Sequence, residues 1–247
     1  MHVGILGPGR LGRSLALLFE RAGLRVSLLG RGEAPRGDVL LLTVPDAAIG
    51  PTARSLSFTG VLLHCSGATG VEVLRPHLPA GSFHPLMTFP GPEIALPSLA
   101  EVPVALAGDP EAVAAGRALA ASLGLSPFEV PGDRRLYHAA AVLAGNLSTV
   151  LLAEAARVLE AAGIPREEAA RRVLPLAIAS LENAEDDPVA ALTGPVVRGD
   201  DAVLAAHRSA LREAGLDDVE ALYDALTDAA RHLTRPPPLG SGRSDEP

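Results

Sequence analysis

The stretch Val3-Gly4-Ile5-Leu6-Gly7-Pro8-Gly9-Arg10-Leu11-Gly12 decides the fold. The apolar run over residues 2–6 reads as a short buried strand. It passes directly into a G-x-G-x-x-G turn, and residues 13–22, ended by Gly23, read as the helix that follows. Strand, glycine turn and helix in that order form the context in which such a turn cradles a pyrophosphate. Gly7 permits the tight turn, Gly9 lets backbone approach the phosphates, and Gly12 lets the helix pack on the strand. Free N–H groups at the helix N-terminus then face the anion. Gly7, Pro8, Gly9, Arg10, Leu11 and Gly12 are therefore the first candidate dinucleotide-binding residues.

Working outward, residues 24–29 read as a second strand and residues 38–44 (Asp-Val-Leu-Leu-Leu-Thr-Val) as a central parallel strand ended by Pro45. Only about eight residues separate these two, too few for the helix and strand common at that point of a Rossmann domain. Residues 61–65, 82–83, 104–106 and 128–130 read as further strands, with a helix over 110–123. Strand alternating with helix argues for an α/β fold with a Rossmann-type, mostly parallel sheet.

From Asp133 onward strand signals stop, and Ala/Leu-rich helices are expected over 133–162, 166–184, 200–214 and 217–233. The expected organisation is an NADP-binding domain over 1–131, an all-helical substrate and dimerisation domain over 132–235, and a disordered tail over 236–247. Within 143–162 the apolar residues nearly encircle the helix, which requires burial on several sides. A second subunit is the expected cover, giving a homodimer built through the helical domain.

The end of the second strand reads Ser27-Leu28-Leu29-Gly30-Arg31. An NAD site usually carries Asp or Glu there to accept from the ribose 2′-OH, whereas Arg31 can pair with a 2′-phosphate, with Arg10 or Arg36 as a second cation. NADP is the expected cofactor, with Glu33, slightly beyond, as the residue that argues for NAD. Val44 and Pro45 end the central strand at the carboxyl edge, where backbone can approach the riboses. Ser66 ends the next strand at the same edge and either binds the ribose or nicotinamide amide or caps the following segment.

Composition narrows the class. The formal net charge of −8 comes without a basic block, which argues against a nucleic-acid partner. A lone cysteine, Cys65, rules out an internal disulfide framework, and the acidic residues do not cluster as metal ligands, so no metal is expected. No apolar run is read as approaching the ~18 residues of a membrane span, and a strand beginning at His2 leaves no room for a leader, so a cytoplasmic protein is expected. The chain has no Lys and no Gln, and only two Asn, Asn146 and Asn183. That composition is thermophile-like, or the mark of a GC-rich genome. Without Lys, neither a Schiff base nor a lysine acid/base is available.

Taken in order, the glycine turn, Asp38-Val-Leu-Leu-Leu-Thr-Val-Pro-Asp46, His64-Cys-Ser-Gly-Ala68 and Ser82-Phe-His-Pro-Leu-Met-Thr-Phe89 resemble a group of bacterial Rossmann-like oxidoreductases. That group carries a C-terminal helical domain of unassigned function, and Leu192-Thr-Gly-Pro-Val-Val-Arg-Gly-Asp200 is similar to its signature. Pyrroline-5-carboxylate reductase, ketopantoate reductase, prephenate dehydrogenase and the deazaflavin-dependent NADP reductases are more distantly similar. The resemblance implies a dimeric NADP-dependent oxidoreductase and leaves the substrate open.

Hydride transfer to a carbonyl or imine carbon needs a donor near the heteroatom. Ketopantoate reductases place a helix Lys there, a few residues before an Asn. Here the helix over 138–146 ends in Asn146, with apolar residues where that Lys would fall. His84, in Phe83-His84-Pro85-Leu86 just after a strand, is the first substitute, since imidazole titrates near neutrality; it resembles the His of prephenate dehydrogenases. Its other reading is a loop-ordering histidine. His138 lies about 80° from Asn146 around the helix, close enough to border one pocket or to serve the structure alone. Asn146, an amide inside an apolar helix, needs a buried partner or a ligand. Arg198 either orders the Thr193–Asp200 turn together with Asp200 or binds an anionic substrate. These residues point to NADP(H)-dependent hydride transfer on a small, anionic carbonyl, imine or hydroxy compound. A non-enzymatic NADP-binding redox sensor and a reductase of a diffusible cofactor such as a deazaflavin are the rival readings.

Overall fold

A computed structural model describes residues 1–92 and 99–235. Its strands are β1 (His2–Leu6), β2 (Arg25–Leu29), β3 (Val39–Leu42), β4 (Val61–His64), β5 (Ala80–Pro85), β6 (Pro103–Gly108) and β7 (Ser126–Glu129). They form one sheet in the order β2-β1-β3-β4-β5-β6-β7. Every neighbouring pair is parallel except β5 and β6, where Ser82 faces Ala107 and His84 faces Ala105 in antiparallel register. The continuous apolar run predicted for a central strand is wholly buried from Val39 to Leu42. Side chains of alternate parity feed two apolar layers. Val3, Ile5, Val39 and Leu41 join Leu15 and Phe19 on one face; Leu6, Leu40, Leu42 and Leu62 join Ile49 and Ala53 on the other.

No helix lies between β2 and β3, as the short connection predicts. Helix α1 (Arg10–Arg21) begins three positions before its predicted start because Gly9, in extended conformation, already serves as the N-cap. Helix α2 (Asp46–Ser55) is absent from the sequence reading: Pro51 inside it reads as a breaker, yet a first turn led by Pro45 and Asp46 carries the chain through. Helix α3 (Pro110–Leu123) matches its predicted bounds, with Asp109 at the N-cap and Pro110 at the first position. His84 lies within β5 and not after it, since β5 extends well beyond the predicted pair of residues.

The chain divides into two compact units, Met1–Asn146 and Leu147–Pro247. The first unit includes α4 (Arg134–Val142), capped by Asp133 accepting from the Arg135 N–H at 2.8 Å. A π turn, Leu143–Leu147, follows, containing Gly145 and Asn146, poor formers of regular helix. The second unit comprises α5 (Ser148–Ala161), α6 (Arg166–Glu182), α7 (Pro195–Arg198), α8 (Asp201–Glu213) and α9 (Asp217–Leu233). Within it α5 packs on α6, and α7 and α9 pack on α8. Surface ion pairs such as Arg157–Asp218 at 2.8 Å add little each, about 0–1 kcal/mol. The predicted tail over 236–247 lies outside the described residues.

One expectation about the long helix is overturned. Arg134–Ala161 is long and apolar enough, by length and composition, to cross a bilayer. The sequence reading missed this because Asn146, Ser148 and Thr149 interrupt the apolar run without adding charge. Within this single chain the helix is little covered: Ala156 is the sole buried residue described in α5, and α4 has none. Leu143, Leu147, Val150 and Leu151 form a stripe between 38% and 62% exposed.

Candidate functional site

The glycine turn is held by contacts that explain two of its three glycines. Gly7 has φ +122°, a left-handed value, and a Cβ there would lie 2.7 Å from the Thr43 carbonyl oxygen. At Gly12 a Cβ would lie 2.0 Å from the Gly7 carbonyl oxygen and 2.6 Å from Thr43 Oγ1, so α1 approaches β1 and β3 only because that atom is missing. Thr43 locks the arrangement, its hydroxyl donating to the Gly7 carbonyl at 2.8 Å. Gly9 differs. A Cβ there would meet nothing within 4 Å, so packing within the protein gives no reason for a glycine. No side chain caps α1, and its first turn contains no acidic residue. The N-terminal amides and helix dipole are thus available to an anion.

Beside this turn the sheet order reverses, with β1 lying between β2 and β3, the place where open α/β sheets bind ligands. A cavity of about 560 Å³ opens there, lined among others by Gly7, Pro8, Arg31, Glu33, Val44 and Pro45. Five predicted cofactor residues therefore share one crevice. Arg31 is exposed and makes no hydrogen bond or ion pair among the described residues. The Glu33 carboxylate folds back to accept from the Gly30 N–H, so the residue that argued for NAD already has a backbone partner.

A second cluster forms at the carboxyl ends of β4 and β5, within the same unit. His84 Nδ1 lies 2.6 Å from the Tyr137 hydroxyl, the two rings meeting edge to face. His138 stands edge-on to His84 with ring centroids 6.1 Å apart. Tyr137 also packs on Phe128, and the Arg134 guanidinium carbon sits 5.9 Å from the Tyr137 ring centroid. Arg134, Tyr137 and His138 are one helical turn apart at i, i+3 and i+4, so α4 presents them together. Gly67 permits this assembly: a Cβ would lie 2.5 Å from His138 Nδ1 and 2.9 Å from His84 Nε2.

Ser66 anchors the loop. Its hydroxyl bonds Asp46 Oδ2 at 2.8 Å and Thr69 Oγ1 at 2.9 Å and accepts from the Thr69 N–H at 3.0 Å. Its own N–H donates to His64 Nδ1 at 3.2 Å, and its carbonyl accepts from Arg134 Nη2 at 3.1 Å. These bonds make Ser66 the cap of the Ser66–Thr69 turn, and not of the helix that follows, whose N-cap is Gly70.

His64, His84 and the Tyr137 phenol are held uncharged at neutral pH beside the Arg134 cation. Burial, then His138 and Arg134, lowers His84 to about 4 against the pull of Asp46. His64, wholly buried, is held at about 4 by burial and then Arg134, with Asp46 and the Gly70 backbone opposing. Burial raises the Tyr137 phenol above its ordinary value, so at neutral pH the His84–Tyr137 pair is an uncharged imidazole bonded to an uncharged phenol. Cys65, pushed up to about 12 by burial, is an inert thiol. Arg134 Nε and Nη1 and His138 Nδ1 are buried and without hydrogen-bond partners.

Asn146 is exposed in the π turn, with no buried partner for its amide among the described residues of the single chain. Arg198, exposed at the end of α7, belongs to the second unit; Asp200 caps α8 by accepting from the Val203 N–H. The second unit also holds an apolar cavity of about 440 Å³, where His207 Nδ1 lies 2.9 Å from the Tyr223 hydroxyl. Among the described residues no three His, Cys, Asp or Glu side chains are placed to hold a metal. Sequence reasoning missed Arg134, Tyr137, Asp46 and Thr69. The available signal was Asp133-Arg134-Arg135-Leu136-Tyr137-His138, an N-cap followed by three polar residues on one helical face.

The family described as a domain of unknown function, DUF2520, matches residues 102–230, just over half of the chain. No curated protein matches. Among solved structures, the chain is similar to a Bacteroides fragilis protein assigned as an NADP oxidoreductase, with 22% identity, 94% of this chain and 98% of that one covered, and a TM-score of 0.78. It is also similar to a Thermotoga maritima protein, with 25% identity, coverage of 94% and 97%, and a TM-score of 0.70. A reductive aminase from Aspergillus terreus, solved with NADPH and ethyl-5-oxohexanoate, shares 16% identity over 95% and 94% of the two chains, with a TM-score of 0.69. These likenesses establish the fold, a Rossmann-type sheet followed by a helical C-terminal domain.

Proposed function

From the premise that this chain belongs to the DUF2520 family, we propose that it is an NADP(H)-dependent oxidoreductase acting on a small, anionic carbonyl, imine or hydroxy compound. The observation that carries the reading is Gly9, a glycine the protein's own packing does not require, at the uncapped head of α1. Arg31, unpaired on the wall of the adjoining crevice, supports NADP over NAD. The NADPH in the Aspergillus terreus complex accords with both.

NADP(H), when bound, supplies hydride chemistry. The amides of the Gly7–Gly12 turn hold the pyrophosphate, Arg31 pairs with the 2′-phosphate, and Val44 and Pro45 wall the ribose. His84 and Tyr137 hold two exchangeable protons between them, so one donates to the substrate heteroatom while the other restores the proton. Because both are neutral at pH 7, the pair acts as a hydrogen-bonded relay and not as an imidazolium acid. His138 borders the same pocket. The exposed stripe on Arg134–Ala161 and a second one on α6 (Leu174, Ile178 and Leu181) support assembly of two copies through the helical unit.

Titration of the protein with NADPH and NADH, followed by nicotinamide fluorescence, tests the cofactor. Tighter NADPH binding is expected; equal or tighter NADH binding reverses the assignment, and no binding of either removes the reading. Screening with NADPH against oxo acids, cyclic imines and a deazaflavin, at the nicotinamide absorbance band, then tests the reaction.

A further inference from the structure

Arg134 is the one guanidinium described in the first unit with buried donors that lack a partner. A guanidinium offers five N–H donors and stays protonated in a protein. Here one donor reaches the Ser66 carbonyl at 3.1 Å, while Nε and Nη1, carrying three hydrogens between them, are buried without a partner. Buried donors of this kind are normally matched, and a charged one left unmatched costs more than a neutral one. Asp46 and Glu72 are the nearest acids by their influence on the cluster, but neither bonds Arg134. Asp46 is already bonded to Ser66.

We infer that Arg134 seats a substrate carboxylate borne on the reacting carbon itself, making the substrate class 2-oxo or 2-imino acids and, in reverse, their 2-hydroxy or 2-amino counterparts. This rests on the hydride-transfer reading above and deepens it. A carboxylate accepts end-on from Nη1 and the second hydrogen of Nη2, leaving the Ser66 bond intact. His64 and His84 are held neutral and Asp46 adds a negative charge nearby, so the one guanidinium suits a monoanionic carboxylate better than a phosphate dianion. Proximity limits the chain length. The guanidinium carbon is 5.9 Å from the Tyr137 ring, and the Tyr137 hydroxyl is 2.6 Å from His84 Nδ1. A substrate reaching from the guanidinium to the His84–Tyr137 pair is short, as one whose carboxylate is joined directly to the reacting carbon is.

In the reducing direction the 2-carbon gains a hydride, and with it two electrons, from the reduced nicotinamide, which is left oxidised. The π pair of the C=O or C=N bond moves to the heteroatom, which takes a proton from the His84–Tyr137 pair; water returns that proton.

The test uses pyruvate, 2-oxoglutarate and 1-piperideine-2-carboxylate, each beside its methyl ester, with the NADPH-saturated protein. Binding is read by calorimetry and turnover by nicotinamide absorbance. At least one acid is expected to exceed its ester tenfold or more in affinity or kcat/KM, and Arg134→Met is expected to abolish that preference while NADPH affinity is unchanged. Arg134→Lys, which keeps the charge but loses the fork, should retain part of it and guards against a folding defect in the Met variant. Acids and esters that behave alike in both measurements, including an absence of binding by either, overturn the inference, as does an acid preference that survives in Arg134→Met. Failure of NADPH to bind, with carboxylates still bound through Arg134, instead removes the oxidoreductase reading and leaves the anion seat.

Discussion

Alanine at Gly9 and at Gly12 separates a glycine kept for a ligand from one kept for packing. At Gly9 the backbone has φ −75° and ψ −173°, open to any residue, and a Cβ has no neighbour within 4 Å. Alanine there gains roughly 0.4–1 kcal/mol from a less flexible unfolded chain. It loses a similar amount, roughly 0.5–1 kcal/mol, as a poorer N-cap than glycine. Stability should therefore stay within about 0.5 kcal/mol of the parent, a shift of roughly 1–2 °C in Tm for a chain of this size. The same methyl occupies the approach of a pyrophosphate, so NADPH affinity should fall at least tenfold, about 1.4 kcal/mol. At Gly12 a Cβ 2.0 Å from a backbone oxygen forces α1 away from β1. Overpacking of that kind costs about 1–3 kcal/mol or more, which lowers Tm by roughly 3–10 °C. Differential scanning calorimetry and NADPH fluorescence titration on both variants read the two effects. A Gly9→Ala protein that binds NADPH as tightly as the parent refutes the reasoning, because the glycine then serves neither packing nor ligand.

Arg31→Ala should weaken NADPH binding about tenfold and leave NADH nearly unchanged, as expected for one charge-assisted phosphate contact; equal losses for both cofactors would assign Arg31 a structural role. His84→Ala should lower turnover at least tenfold with NADPH affinity unchanged, and Tyr137→Phe should lower it by less; unchanged turnover in His84→Ala removes that residue from the chemistry. Stability should fall as pH drops from about 6.5 to 4, because an unfolded histidine titrates near 6.5 while His64 and His84 are held at about 4, so the unfolded chain binds more protons in that window. For wholly buried His64 the loss is on the order of 3 kcal/mol, and urea midpoints across the range should flatten in His64→Asn; a parent profile already flat there contradicts the burial argument. Sedimentation velocity should find a dimer that Leu147→Asp with Leu151→Asp converts to monomer, and a monomeric parent would discard the helix stripe as an interface.

The glycine turn was legible because Gly7 and Gly12 answer local geometric demands, and the whole pattern is confined to ten consecutive residues. The buried strand Val39–Leu42 was legible for a similar reason, since a parallel strand covered on both faces must be apolar throughout. Helix α2 was not, since Pro51 obeys the breaker rule locally while the sheet supplies the packing that overrides it. The surroundings of Asn146 were not legible either, because an apolar sequence around it does not say what covers it. Leu136, Leu143 and Leu147 around that helix are likewise exposed in this chain.

Periodicity and turn chemistry act over a few residues, so the order of strands, the glycine turn and the change to helices after Asp133 follow from the chain read alone. The His84–Tyr137 bond spans 53 positions and the Arg134–Ser66 bond 68. No local pattern encodes such pairings. They exist because β4, β5 and α4 converge at one edge of the sheet, and the unpaired Nε and Nη1 of Arg134 are visible only once that convergence has buried them.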